Sequence, residues 1–318
     1  MARGSAGRLI IEFPYLFSIG VDIMAEERGF VFNTPDGEME LSLEEVKMLA
    51  AENDPDGLYA LGMAYLFGWD IEQDEKIGYD YLEQASDLGQ TEAMTLLVRM
   101  YMQGEYDGMD QTKAAKMSIL AAKDGIPDAQ MYAGLAYMDG IGVLQDYTEA
   151  ARLFRLAANQ GNDEARTNLA FLFQEGLGVE KDEAKAFKMY RTAAKNGNLN
   201  GMFHLAIAYE FGNGTKHDLV KAAEWYQKGS DLGDPFATER LAYLTSEGYG
   251  DRVPDAKGAF ELFLKAANAG IAGAMFMVGY CYVGGTGVSP DLDEAKKWLR
   301  MAADGGIQDA SDLLAELE

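Results

Sequence analysis

A unit of 36 residues recurs along this chain with almost no slippage, and that period limits the fold more than any other feature. Steps of 36 from Gly57 land on Ala93, Ala129, Ala165, Gly201 and Ala237; one step of 37 reaches Ala274, and 36 more reach Ala310. The extra residue belongs to the loop after Gly250. A period of this size, with one supersecondary unit in each, predicts repeats that contact their neighbours in a stack instead of sharing one central core. Seven full repeats and a closing fragment are expected.

The columns of the repeat spell out a helix pair. A glycine stands eleven residues after each opening position, from Gly68 and Gly104 to Gly248 and Gly285, where an apolar-periodic segment stops. It reads as the C-terminal glycine of helix A. An aspartate then opens helix B each time: Asp74, Asp110, Asp146, Asp182, Asp218, Asp255 and Asp291. Its carboxylate suits the free N–H groups and the dipole of a first helical turn. Asp146 with Glu149, and Asp291 with Glu294, have the spacing of a capping box. Asp54-Pro55, Asp234-Pro235, Asn162 and Asn198 mark starts of helix A. Small residues fill one column of helix A (Gly62, Gly134, Ala170, Ala206, Ala242, Gly279) and one of helix B (Ala114 to Ala295), which lets axes approach to the short end of roughly 8–10 Å.

These columns carry a family resemblance. Ala129, Gly134, Tyr137, Gly140, Gly142, Val143, Asp146, Ala150, Ala157, Ala158 and Gly161 resemble, position by position, the Sel-one-like repeat (SLR) family of tetratricopeptide-like α-solenoids. The resemblance covers about residues 55–312. It implies an all-α, right-handed α/α superhelical solenoid of about seven helix-turn-helix repeats that works as a protein-interaction scaffold without chemistry of its own. Two turns depart from the pattern, Trp69-Asp70-Ile71 and Tyr106-Asp107-Gly108, and are expected to be shaped differently.

Ahead of the repeats, Thr34-Pro35-Asp36-Gly37 between short alternating runs predicts a small hairpin. Ser42 and Glu45 form a capping box for a helix over 43–52. The expected organisation is an N-terminal extension with the hairpin at 1–41, a capping half-repeat at 42–54, seven repeats at 55–306 and a capping helix at 307–318. At the N-terminus Arg3 and Arg8 precede an apolar run, but Glu12 and Pro14 interrupt it and no small-x-small cleavage site follows. Met24 is an alternative start. A cytoplasmic chain is expected.

The 27 basic against 52 acidic residues leave a net charge of −25. Nucleic acid and anionic membrane are disfavoured, since binding them rests on Lys and Arg meeting phosphates. A basic partner, or solubility alone, fits the field. One cysteine, Cys281, excludes an intramolecular disulfide. Only His204 and His217 are present, without zinc-ligand spacing, and Cys281 has no histidine in its repeat. The Gly-x-Gly-Val turns lack the lysine of a phosphate loop. No enzyme activity, cofactor or metal is expected.

The positions left free by the pattern lie two and six residues after each opening. They include Tyr59, Met63, Arg99, Met131, Leu135, Phe171, Phe203, Ile207, Tyr243, Phe276 and Tyr280, with Thr95, Thr167 and Glu239 interspersed. Being four apart, the two columns share a helix face. In tetratricopeptide-like units that face lines the concave groove, so the resemblance makes these residues an apolar floor for a partner segment. Asp128, Asp139, Glu164, Glu175 and Glu247 would edge it as an acidic rim that steers basic partners. The competing reading is that neighbouring A helices bury the stripe. The expected function is a monomeric adaptor that binds a protein or peptide with basic and apolar residues; the alternative is an immunity-type protein neutralising a basic toxin or effector.

Overall fold

The computed structural model describes residues 30–34 and 37–317. The N-terminal residues on which the leader-sequence reading rests, and Pro35 and Asp36 of the expected turn, lie outside them. Strands β1 (Phe30–Thr34) and β2 (Gly37–Leu41) pair antiparallel, Phe30 opposite Leu41 and Thr34 opposite Gly37. Every further secondary-structure element among the described residues is a helix. The chain divides into two compact units, Met1–Ala165 and Arg166–Glu318.

In the first unit, Ser42 caps α1 (Leu43–Ala51), and Glu45 returns the favour by accepting the Ser42 N–H at 2.8 Å. Phe30 joins Val46 and Ala50 of α1 in the core beside α2 (Pro55–Phe67). Helices α3 (Glu75–Asp87), α4 (Thr91–Gln103), α5 (Gln111–Ala121), α6 (Pro127–Asp139) and α7 (Tyr147–Asn159) continue the alternation. Helix α5 ends in a 3₁₀ turn, Ala122–Asp124. Helix α8 (Asp163–Glu175) contains the division between units. The second unit continues with α9 (Glu183–Lys195), α10 (Leu199–Phe211), α11 (Leu219–Asp231), α12 (Pro235–Glu247), α13 (Ala256–Asn268), α14 (Ala272–Gly284), α15 (Leu292–Asp304) and α16 (Gln308–Leu317).

The helix starts follow from local chemistry. All seven aspartates of the helix B column accept backbone N–H groups of the first turn, at 2.7–3.1 Å. Such a cap stabilises a helix by about 1 kcal/mol. The two further capping boxes form only by half: Glu149 turns to Arg152 at 2.7 Å and Glu294 to Lys297 at 3.3 Å, because an ion pair one turn along competes for the carboxylate. Asn162 and Asn198 cap α8 and α10 as expected, both at 2.7 Å. Gln90 caps α4 in the same way, at 2.6 Å.

Packing inside a repeat is a fit of small against large. A β-carbon on Gly134 would lie 2.5 Å from the Phe154 ring, one on Gly279 2.7 Å from Leu299, and one on Gly62 3.0 Å from Leu82. Phe154, Leu299 and Leu82 are fully buried, and the large residue stands twenty positions after the small one in each pair. The α4–α5 repeat inverts this arrangement: Val98 occupies the small column and Ser118 the large one, each only 1% exposed.

Packing between repeats uses the second glycine of the turn. At Gly214, with φ +68°, a β-carbon would lie 2.0 Å from the Glu183 carbonyl oxygen at the start of α9. Tyr106 occupies the corresponding place in the α4–α5 turn. It is buried, stacks on Tyr79 of α3 at 4.7 Å and donates its hydroxyl to Glu83. An aromatic ring thus replaces backbone contact on the preceding B helix, which explains why this turn departs from the pattern.

Candidate partner-binding face

The stripe of free positions divides by burial. Tyr59, Met63 and Met131 are 2%, 1% and 2% exposed, so the expectation that they line an open groove is corrected. The reason is visible in α2, where Leu58, Tyr59, Ala60, Leu61 and Met63 are all buried in succession: a helix that is apolar on every side belongs inside. The hairpin and α1 contribute to the core that encloses it. Thr95 and Thr167 are buried too, while Arg99 and Leu135 are half-buried. In the second unit the stripe opens. Phe171, Phe203, Ile207, Tyr243 and Phe276 are half-buried, and Tyr280 is 52% exposed.

The acidic rim needs a second correction. Asp128 accepts from the Asn162 amide at 2.9 Å and lies 4.0 Å from Arg99. Asp56 accepts from the Gln90 amide at 3.2 Å. The side chain that caps one A helix therefore ties down the acid at the head of the preceding one. In the second unit the direction is reversed: the cap Asn198 accepts through Oδ1 from the Thr167 hydroxyl of the preceding A helix, at 3.1 Å. Glu164 is exposed as a residue, yet burial of its carboxyl, then the charge of Asp128, push its pKa up. Asp139, Glu175 and Glu247 are exposed.

What the second unit presents is a run of aromatic residues on three successive A helices. On α10 these are Phe203 and Phe211, on α12 Phe236 and Tyr243, on α14 Phe276 and Tyr280. Phe211 and Phe236 are 61% and 57% exposed. The rings of Phe203 and Phe236 approach to 6.4 Å across the two helices, and those of Phe276 and Tyr280 to 6.2 Å. Beneath this face Tyr226 donates to the buried carboxylate of Glu210 at 2.6 Å, and Arg240 pairs with the other oxygen. The guanidinium lies 5.9 Å from the rings of both Phe211 and Tyr243. Burial, then the bond to Glu210, push the Tyr226 pKa up, so the phenol stays a donor.

Phe211, Phe236 and Arg240 were not legible from the two free columns. Phe236 carries its own signal: it stands just before an opening position, where the first four repeats have Asp56, Glu92, Asp128 and Glu164.

Among the described residues no cluster of three His, Cys, Asp or Glu could hold a metal ion. Cys281 is buried, which pushes its thiol pKa up and away from the reactive thiolate. His217 meets the Glu210 carbonyl at 2.6 Å. His204 stacks on Tyr190 at 5.0 Å, and burial pushes its pKa below 6.5. The unfolded chain then binds the proton first, so stability declines as pH falls through about 6.5. His204→Phe is expected to keep the stack and to remove this component, seen as a flatter dependence of the urea midpoint between pH 7 and 5 than the parent shows. Identical slopes would place His204 in solvent. No helix among the described residues is long and apolar enough to cross a membrane.

Paired antiparallel helices at a fixed 36-residue period, with glycine-ended A helices and aspartate-capped B helices, define an α/α repeat protein of the solenoid class. The Sel1 repeat model matches residues 55–90, 127–162, 163–198, 199–234, 235–271 and 272–307, and the chain belongs to the Sel1 repeat family. The stretch that the model passes over, 91–126, holds the inverted Val98–Ser118 pair and the Tyr106 turn, yet it forms the same helix pair. Among solved structures, a Sel1 repeat protein from Oxalobacter formigenes is 26% identical, with 77% of this chain and 96% of that chain covered and a TM-score of 0.65. The protein c5321, a protective antigen of uropathogenic Escherichia coli with an SLR fold, is also 26% identical, covering 88% of this chain and 76% of that one, with a TM-score of 0.50. No curated protein matches the chain.

Proposed function

We propose that this protein is an interaction scaffold without catalytic activity, and that the face of α10, α12 and α14 receives a segment of a partner protein. The observation that carries this reading is the recurrence of aromatic residues on one side of three successive A helices, with Phe211, Phe236 and Tyr280 exposed and Phe203, Tyr243 and Phe276 half-buried beside them. Apolar surface gathered in one place marks interaction sites, and aromatic anchors dominate their energetics. Such rings bury much area with few rotamers to freeze. Exposed Glu247 at the end of α12 and Glu175 at the end of α8 would speed the approach of a positively charged partner.

The test is retention of host proteins by the full-length chain, followed by affinity measurement with the partner so identified. Phe236→Ala and Tyr243→Ala are each expected to weaken binding by about 2 kcal/mol, some thirtyfold, with helical content unchanged. Unaltered binding in both variants would overturn the assignment of the face and move attention to the B helices.

A further inference from the structure

In the middle of this aromatic face stands one carboxylate. Glu239 occupies α12 between Phe236, one turn before it, and Tyr243, one turn after; Phe203 and Phe276 hold the same column in the repeats on either side. Its carboxyl lies against the bare Cα of Gly273 near the start of α14, where a β-carbon would meet Oε1 at 2.5 Å. Glycine at 273 leaves the room that this carboxyl occupies. No hydrogen bond or ion pair reaches Glu239 among the described residues, although Arg240 is next to it in sequence. Arg240 is spoken for by Glu210, so the charges of Glu210, Glu239 and Arg240 leave one negative charge over, and of the two carboxylates Glu239 is the partly accessible one.

A half-buried carboxylate costs more to hold ionised than one in water, and burial does push its pKa up, with Arg240 working against the shift. Two other sequestered acids of this chain have partners: Glu210 has Tyr226 and Arg240, and Asp128 has Asn162. The helix dipole of α14 offers Glu239 partial compensation, but Ile271 leaves that N-terminus without a side-chain cap, and no bond from it reaches the carboxyl. A cation brought by a ligand would supply the missing counterpart. Aromatic rings beside a carboxylate suit that ligand twice over, because their faces attract a cation and their area packs its alkyl stem.

We propose that Glu239 is the specificity-determining residue of the face and selects partner segments that present a lysine or arginine flanked by apolar residues. This rests on the assignment of the face made above. It commits the partner to a basic peptide segment, in keeping with the net charge of −25.

The experiment is a random-peptide display selection on the full-length protein, followed by fluorescence anisotropy with one selected peptide. Enriched sequences are expected to share a Lys or Arg beside apolar residues. Replacing that one basic residue by norleucine should weaken binding to the unaltered protein about tenfold, a comparison that requires no change in the protein. Glu239→Gln should reproduce the loss, with Tm and helical content close to the parent, and should make the two peptides bind alike. Enrichment of acidic or purely apolar peptides, or a Glu239→Gln affinity within twofold of the parent while Phe236→Ala still weakens binding, would overturn the selectivity and leave the face standing. Insensitivity to Phe236→Ala and Tyr243→Ala together, or no enriched peptide at all, would overturn both.

Discussion

Gly214→Ala is expected to be among the most destabilising single-methyl additions in this chain, lowering stability by about 2–4 kcal/mol through two independent costs. The first is conformational: at φ +68° an L-residue pays about 1 kcal/mol or more that glycine does not. The second is steric. The added carbon would lie 2.0 Å from the Glu183 carbonyl oxygen and 2.8 Å from the Ala184 nitrogen, both backbone atoms in the first turn of a capped helix. Neither can turn aside as a side chain would, so the turn must lift off α9 and forfeit the contact between repeats, a strain of about 1–3 kcal/mol or more. Gly197→Ala is the control. Its φ is +97°, but nothing lies within 4 Å of a β-carbon there, so only the conformational cost applies. Urea unfolding of both variants separates the two; equal losses would mean that the turn does not sit on α9 in solution.

That contact also shows where sequence reading stops. The turn glycines, the aspartate caps and the helix ends were legible because each is settled by a few residues in a row. Gly214 reads in the sequence as a turn former like Gly212. Its second role depends on Glu183, some thirty residues earlier in the chain, which only the stacking of repeats brings beneath it. The tie from Asn162 to Asp128 has the same character: the caps were read correctly as caps, and the free amide hydrogens that reach back one repeat were not.

The proposed face was legible in part for a related reason. Two columns of the repeat name the side of helix A that is left over, and in α10, α12 and α14 that side is accessible. The columns carry no information on what covers them, however. Tyr59 and Tyr243 carry the same side chain in the two adjacent columns of one helix face, yet Tyr59 is closed in a core to which Phe30 and α1 contribute, and Tyr243 is only half-buried. Phe236 and Glu239 were visible as residues that break their columns, an aromatic among acids and an acid among aromatics. Departures from the repeat mark the face better than the repeat itself does.

The inverted pair of the α4–α5 repeat leads to the other large effect, a double-mutant cycle at Gly134 and Phe154. Gly134→Val alone puts a branched side chain where the first added carbon would already lie 2.5 Å from the Phe154 ring, at an expected cost of about 2–4 kcal/mol after the gain in helix propensity over glycine. Phe154→Ser alone empties a fully buried site and is expected to cost about 3–5 kcal/mol. The double variant recreates the Val98 and Ser118 combination that the chain already uses twenty residues apart within α4 and α5. Valine then grows into the space that the ring vacates, so the combined loss should fall short of the sum by about 2 kcal/mol, within the range for residues in direct contact. The serine hydroxyl has a ready acceptor, as Ser118 shows by donating to the Ala115 carbonyl at 2.8 Å. Urea midpoints of the four proteins measure the coupling. Strict additivity would mean that Gly134 and Phe154 do not press on one another, and the small-against-large account of the repeat would have to be abandoned.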